Sequence, residues 1–414
     1  MTREDADVII VGAGPAGAVT ALLLARAGVD VLLLDRAAFP RAKPCGDCLS
    51  SGATAILRRL GVLDLVLARP HARLRGWRIV APDGNSFEAA FNATDDTAGA
   101  DSVAAGCALS VERAVLDAVL VEAAIAAGAR FERQTVIDVA RDAAGAVAGV
   151  VTRNGVRFAA ITVGADGLRS IVAKRLGTRT SGFLRKLSLT FHAPVANTGN
   201  TGEMHVGDGM CAGVAPVEIS GLCNLTIVAD SARFGRDVAR DARAFAQCAI
   251  DSLPLLRNRV PAAALHQTPL ASGPFDQPVR RVAFDGAVLV GDAAGYYDPF
   301  TGQGVYQSLA SAELLAPVVA ASLRRRDVRA EAFRDYAAGR AALMRWPRLV
   351  QYGVETVLRR TASANRAIAR IRRAPAFGSA IVSVTGDIAP VRALIAPRAL
   401  FSLLLPPSHS EKTA

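Results

Sequence analysis

Two glycine-rich segments stand almost three hundred residues apart in this 414-residue chain: Gly12-Ala13-Gly14-Pro15-Ala16-Gly17 and Gly291-Asp292-Ala293-Ala294-Gly295. Each follows a short apolar, β-branched run, and each reads as a turn through which backbone N–H groups approach a phosphate. Either alone is a weak signal. Both together demand a fold in which elements from the two ends of the chain close on one dinucleotide.

The first segment can be argued residue by residue. Val8 to Val11 reads as a buried parallel strand, and Ala18 to Ala27, rich in Ala and Leu, as the helix that follows. Gly12 permits the tight turn, Gly14 admits the pyrophosphate, and Gly17, with Ala16 beside it, lets helix and strand pack closely. A second strand, Val29 to Leu34, ends at Asp35 and Arg36, where an acidic residue binds ribose hydroxyls. An ordinary βαβ turn would leave Asp35 unexplained. Strand, glycines, helix, strand and acid in this order, with the second segment, point to tightly held FAD and to redox chemistry.

The stretch Phe39-Pro40-Arg41-Ala42-Lys43-Pro44-Cys45-Gly46-Asp47-Cys48-Leu49-Ser50 is too rich in Pro and Gly for a third element and reads as a long ordered loop. Here the chain resembles the FAD-dependent oxidoreductases grouped with geranylgeranyl reductases and, more distantly, with p-hydroxybenzoate hydroxylase-type monooxygenases. In that family a Lys-x-Cys-Gly-Asp/Glu loop runs beside the flavin ring, which implies flavin-side roles for Cys45 and Gly46. The resemblance extends to Arg113 in Ser110-Val111-Glu112-Arg113, implied to face FAD. It extends also to Asp166 and Gly167 in Gly164-Ala165-Asp166-Gly167-Leu168-Arg169-Ser170, implied to lie near the phosphates. The most specific match is Val288 to Gly295 continued through Asp298-Pro299-Phe300-Thr301-Gly302-Gln303-Gly304. There Gly291 and Asp292 are expected on the ribityl or ribose hydroxyls. Pro299, Gly302, Gln303 and Gly304 open a helix, Val305 to Leu323, whose N-terminal dipole would favour negative charge on the reduced flavin.

The expected fold class is α/β, a Rossmann-like FAD domain interleaved with an α+β substrate part. Residues 1–75, 100–176 and 277–335 are assigned to the FAD domain, 76–99 and 177–276 to an antiparallel substrate sheet, and 336–414 to a basic helical region. The alternation in Leu187-Ser188-Leu189-Thr190-Phe191 and Leu225-Thr226-Ile227-Val228 predicts that sheet, and Asn154-Gly155 predicts a hairpin over Ala146 to Phe158. No second glycine fingerprint offers a nicotinamide domain, so NAD(P)H would bind transiently, or a ferredoxin-type donor would supply the electrons.

Residues 1–314 carry 31 basic and 31 acidic side chains, whereas 315–414 carry 17 and 6, so the whole net charge of +11 lies in the last hundred residues. Tyr336 to Arg373 holds nine arginines and one acid, Glu355. This reads either as a solvated helical face or as a docking surface for an anionic membrane or an acidic carrier protein. No aromatic interleaving supports nucleic-acid binding. Ile388 to Leu405, broken by Pro390, Arg392, Pro397 and Arg398, is too interrupted to span a bilayer, and is expected to lie on one or to close the body as a helix. The N-terminus shows no secretory signal, so a cytoplasmic place, extending to the inner membrane face, is expected.

Cys107, Cys211, Cys223 and Cys248 read as small core side chains. Cys45 and Cys48 form a Cys-x-x-Cys pair without a second pair, which disfavours zinc; a working disulfide is the lesser reading, and Cys45 as a substrate-side or flavin-tuning group the better one. Arg41 and Lys43 read as phosphate contacts or as exposed charges. His192 and His205 read as hydrogen-bonded structural residues, and Trp77 and Trp346 as packing. Cys45 and Tyr296 are the candidate proton sources for catalysis.

Two reactions compete: reduction of a C=C bond in a prenyl or polyketide-like, lipid-like substrate, and NAD(P)H-dependent hydroxylation of an aromatic or polyketide-derived one. The Cys45-Gly46-Asp47 loop favours the first by resemblance. Where prenyl reductases and flavin halogenases carry an aromatic motif ending in Pro, this chain has Cys211-Ala212-Gly213-Val214-Ala215-Pro216. Small residues there imply a wider pocket wall, against a geranylgeranyl substrate and against halogenation. A third reading is a non-catalytic FAD-binding accessory protein.

Overall fold

The computed structural model describes residues 4–91, 108–217, 221–261, 265, 268–300 and 302–404. Cys107, Thr301, Leu405 and the boundary drawn at residue 100 lie outside them. β1 (Ala6–Val11) enters the first glycine turn, and α1 (Pro15–Arg26) leaves it with proline in the first turn, where a missing N–H costs nothing. β2 (Val31–Asp35) returns parallel to β1, Val8 to Val11 facing Val31 to Leu34. Both strands are buried apart from Asp7 and Asp35, as the centre of a covered parallel sheet requires.

Beyond the Pro-rich loop come β3 (Cys48–Leu49), α2 (Ser51–Arg59), α3 (Leu63–Leu67), β4 (Ala72–Leu74) and the pair β5 (Gly76–Val80) and β6 (Ser86–Ala90). β7 (Ala108–Ser110) joins β3 and β4 in a three-stranded sheet. α4 (Arg113–Ala126) packs on α1, and β8 (Arg130–Arg133), β9 (Val136–Arg141), β10 (Val147–Thr152) and β11 (Gly155–Gly164) follow. The hairpin turns at Asn154-Gly155, with Thr152 opposite Gly155. Its second strand is ten residues long and runs on to pair with β1, Ala159 to Gly164 facing Ala6 to Val11. α5 (Ile171–Arg175) then leads away.

β12 (Lys186–Pro194), β13 (Thr201–Gly207), β14 (Met210–Pro216) and β15 (Leu222–Asp230) build the second large sheet, followed by α6 (Ser231–Arg240), α7 (Ala242–Ser252) and β16 (Leu270–Ser272). With β5 and β6 they run in the order β16-β12-β15-β14-β13-β5-β6. The period of two sorts the side chains: Leu189, Leu225 and Ile227 face the core with Phe245 and Ile250 of α7, while Ser188, Asn224 and Thr226 face a cavity. On α7 the same logic at 3.6 residues buries Ala249 and Ile250 and leaves Cys248 exposed, which corrects its assignment to the core.

β17 (Ala283–Phe284) and β18 (Ala287–Leu289) complete the first sheet in the order β17-β18-β11-β1-β2-β8, with β10 and β9 branching from β11. Val11 lies opposite Gly164, and Gly164 opposite Leu289, so both glycine turns leave the sheet at one level. They touch: a Cβ on Gly291, whose φ is +61°, would meet the Cβ of Ala16 at 2.7 Å. α8 (Gly304–Arg325) then packs along α1.

α9 (Arg334–Leu358), α10 (Thr361–Arg372), α11 (Pro375–Thr385) and α12 (Pro397–Leu404) form the arginine-rich end. The start of α9 grips the second glycine turn: the Tyr336 hydroxyl donates to Leu289 O at 2.7 Å and buried Arg340 donates to Gly295 O at 3.0 Å. α10 and α11 cover β6, where Ile368 and Val382 pack with Phe87 and Phe91. The stretch from Ile388 is a 3₁₀ turn (Val391–Ile395) and then α12, each begun at a proline, not one closing helix. Among the described residues no helix is long and apolar enough to cross a membrane.

Candidate functional site

Both glycine turns open onto a cavity of about 170 Å³ between the two large sheets. α1 starts at Gly14 and α8 at Gln303, neither with a side-chain cap, and neither has an acid in its first turn. Pro15 from the one and Gly304 and Val305 from the other line the same cavity, so two uncapped N-termini offer it partial positive charge. Close backbone approach is built in: a Cβ on Gly12, at φ +100°, would fall 2.5 Å from Ala165 O. At the end of β2, Asp35 Oδ2 accepts the Ala13 N–H at 2.9 Å and lies 3.7 Å from the Arg41 guanidinium. Arg41 is stacked over Phe39 and sits 3.4 Å from Asp117, and its buried Nε has no partner. An orphaned guanidinium N–H beside a glycine turn and a half-buried ribose-type acid is a donor set suited to a dinucleotide diphosphate. The residues fit FAD.

The loop from Lys43 to Cys48 forms one wall. Buried Arg113 is clamped to Asp117 by two 2.8 Å bonds and also reaches Cys45. Burial opposes the Arg113 charge, yet Asp117 more than offsets it and the guanidinium stays ionised. Burial pushes the Cys45 thiol up despite Arg113, and burial together with the Arg113 charge pulls the Lys43 ammonium down. Lys43 lies over the Asp-Gly turn, 3.8 Å from where a Gly167 Cβ would be. Asp47, in the left-handed region at φ +56°, ties this loop to the second sheet. Its Oδ1 accepts the Arg113 N–H at 3.1 Å, and its Oδ2 accepts from Asn224 Nδ2 at 2.7 Å and meets His192 Nε2 at 2.8 Å. The hydrogen bond to Asp47 raises the His192 pKa against partial burial. Asn224 also donates to Cys45 O at 2.8 Å, which fixes the thiol's backbone.

Tyr296 lines the cavity beside Gly304, edge-on to Phe275 at 5.6 Å. Burial drives its phenol far above the usual range, with Asp292 and Asp298 adding to the effect. Cys211, Gly213 and Ala215 supply the small-residue wall. Burial raises the Cys211 thiol to about 12. Behind Cys211, Lys186 bridges Asp298 at 2.8 Å and Glu355 of α9, tying sheet, flavin-side loop and C-terminal lobe together.

A second, larger cavity of about 500 Å³ lies between the sheet and the C-terminal helices, walled by side chains such as Phe87, Val354, Ile368, Phe377 and Val382. Trp77, Met204 and Phe300 line both cavities, so they adjoin at these three side chains. Trp77 lines both cavities and also packs against the cluster of Phe87 and Phe91, the packing expected of it, whereas Trp346 is an exposed ring under Arg345.

Of the residues singled out in the sequence, Cys45, Gly46, Arg113, Asp292, Tyr296, Pro299, Gly302 and Gly304 meet in the first cavity. Three others turn their side chains elsewhere. Asp166 turns its carboxylate to the start of α5, accepting from Ser170 Oγ and the Ile171 N–H, because a helix terminus is its nearest donor. Gln303 donates to Asp387 in the C-terminal lobe, and Arg36 is an exposed side chain. Cys45 and Cys48 are free thiols. His205 is buried against Glu203, which Arg259 also holds. Among the described residues no cluster of His, Cys, Asp and Glu could hold a metal ion. Sequence reasoning missed Asn224, Asp47 as an anchor, and the second cavity.

A family model described as FAD binding domain matches residues 5–345. The chain belongs to this FAD binding domain family. It is 29% identical over 350 residues to digeranylgeranylglycerophospholipid reductase 2 of Methanopyrus kandleri, covering 80% of this chain and 81% of that one. It is 38% identical over 181 residues to menaquinone reductase of Mycolicibacterium smegmatis, 42% of this chain and 40% of that one. Against conditioned medium factor receptor 1 of Dictyostelium discoideum identity is 28% over 348 residues, 80% of this chain and 66% of the relative. The chain therefore spans under two thirds of these last two proteins. In fold, the chain superposes on the myxobacterial halogenase CndH (TM-score 0.71, 24% identity, 81% and 78% covered). It also superposes on PqsL, a probable FAD-dependent monooxygenase of Pseudomonas aeruginosa (TM-score 0.66, 23% identity, 88% and 99% covered).

Proposed function

We propose that this flavoprotein reduces a carbon–carbon double bond in a lipid-like substrate. One observation carries the reading: an apolar cavity of about 500 Å³ adjoins the flavin-side cavity at Trp77, Met204 and Phe300. An apolar chain held in the first can present a double bond in the second. The names of two relatives, reductases of menaquinone and of digeranylgeranylglycerophospholipid, point to substrates with isoprenoid chains. The small residues Cys211, Gly213 and Ala215 leave room for a bulkier group than a bare prenyl chain at the reacting end.

FAD would be held by the Gly12–Gly17 turn, Asp35 and Arg41 at its nucleotide end, and by the Gly291–Gly295 turn and the start of α8 at its ring end. Once reduced by NAD(P)H or a ferredoxin-type donor, FAD supplies two electrons and one proton. Saturating the bond needs a second proton, and this chain keeps two in place. Burial holds the Cys45 thiol and the Tyr296 phenol in their neutral forms, so each can donate to carbon. Arg113, fixed by Asp117, orients the Cys45 sulfur, and Asn224 and Asp47 fix the loop that carries it. The two sheets keep water from the reacting carbons.

The test is an anaerobic incubation of reduced holoenzyme with a menaquinone or a geranylgeranyl lipid, read by mass spectrometry. With any quinol reoxidised to quinone before analysis, a product heavier by two hydrogens per bond supports the proposal. A product that requires oxygen and gains an oxygen atom overturns it in favour of hydroxylation.

A further inference from the structure

The larger cavity reaches the surface at Val357 of α9, a residue both exposed and part of its wall, opposite Leu394 and Leu403. Around that opening the C-terminal lobe exposes large apolar side chains. Ile395 is 69% exposed and Phe401 63%, with Leu400 beside it, and α9 adds Trp346 and Leu349. Large apolar side chains this exposed, among the described residues, mark a face that awaits a partner. Three of them are escorted by an arginine. Arg392 lies three residues before Ile395 in a 3₁₀ turn, hence on the same face, and Arg398 lies three before Phe401 in α12. Arg345 covers the Trp346 ring at 5.2 Å.

We propose that this face docks on an anionic lipid bilayer, with Ile395, Leu400 and Phe401 inserted and Arg392 and Arg398 at the headgroups, so that the substrate's apolar chain enters the cavity directly from the membrane. Alternating arginine and large apolar groups are what an interface of this depth accepts, the guanidinium reaching phosphates while the ring or alkyl group sinks below. Charge complementarity selects the occupant. The last hundred residues hold the whole net charge of +11, so a second copy of the chain would meet like charge. An acidic protein would satisfy the arginines but would have no reason to meet side chains ringing a passage for an apolar chain. The inference rests on the proposed lipid-like substrate only for its purpose; binding itself is measured without turnover.

Sedimentation of the full-length FAD-loaded protein with vesicles tests it. Co-sedimentation is expected with phosphatidylglycerol-containing vesicles, not with pure phosphatidylcholine, and should fall steeply between about 0.1 and 0.5 M salt. The triple variant Ile395→Ser, Leu400→Ser, Phe401→Ser and the pair Arg392→Glu, Arg398→Glu should each bind about tenfold less or weaker still. Their FAD content and turnover of detergent-dispersed substrate should stay at the parent level. The proposal is overturned if the parent ignores phosphatidylglycerol vesicles, or if the triple variant binds them equally. It is also overturned if sedimentation shows a dimer that the triple variant dissolves, which would assign the face to a second copy. A parent protein that turns over substrate but ignores the vesicles condemns this inference alone; a parent that docks but yields no product condemns the reductase reading alone.

Discussion

Replacing Asp387 by asparagine should change how stability depends on pH. Asp387 sits in the turn after α11 at φ +58°, a conformation that asparagine also tolerates. Its carboxylate accepts a 2.7 Å bond from Ser50 Oγ and another from the Gln303 amide, and it packs against Gly52, where an added Cβ would come within 2.5 Å of it. Burial pushes this carboxyl from 3.8 to about 7, while the hydrogen bonds from Ser50 and Gln303 pull it back. Because the folded value is raised, the native state binds a proton that the unfolded chain has released between pH 3.8 and about 7. Stability from this group therefore falls as pH rises through that window and is level above it. At 1.36 kcal/mol per pH unit the full effect is about 4 kcal/mol. Solvent contact at the half-buried carboxyl reduces the expectation to about 2 kcal/mol. Asparagine keeps an acceptor for Gln303 and removes the titration. Urea unfolding of FAD-loaded parent and Asp387→Asn at pH 5, 6, 7 and 8 reads it directly. The variant should already be ahead of the parent at pH 5, and its lead should grow by about 1 kcal/mol by pH 8 and then level off. A difference that is the same at both ends would refute the reasoning.

Arg113→Ala leaves buried Asp117 without its bidentate partner, so a loss of about 3–5 kcal/mol is expected, largely restored in Arg113→Ala with Asp117→Ala; urea denaturation of the four proteins checks the cycle. Cys45→Ala and Tyr296→Phe separate the two proton sources: whichever serves should lower kcat about 10²-fold or more with KM little changed, in rapid-mixing assays of product formation. If both variants turn over normally, the proton comes from elsewhere. Phe300→Trp should narrow the junction of the cavities, lowering kcat/KM for long-chain substrates while sparing short-chain analogues; equal effects on both would remove Phe300 from the passage.

Local signals carried the first glycine turn well, because strand, turn, helix and acid lie within thirty residues and each obeys a backbone rule. The hairpin at Asn154-Gly155 and the alternation around Leu189 were legible for the same reason. What escaped was assembled by docking. Asp47, His192 and Asn224 are far apart in sequence, and only the seating of the loop on the second sheet makes them neighbours. The larger cavity draws ordinary apolar residues from β5, β6, α9, α10 and α11, none of which signals a void. Resemblance placed Asp166 near the cofactor but could not say which way its carboxylate points; the free N–H of Ile171 at the start of α5 decided that. Cys248 was readable in principle, since helical spacing from Ala249 and Ile250 turns it outward.

β18 joins the sheet only after β11, and α9 then fastens it through Tyr336 and Arg340. During synthesis the last part of β11 must therefore wait, one edge unsatisfied, for a strand more than a hundred residues downstream. A nascent chain stopped before residue 287 would display that open edge and hold half a cofactor cradle. The two-sided cradle is thereby completed only once synthesis has passed residue 295.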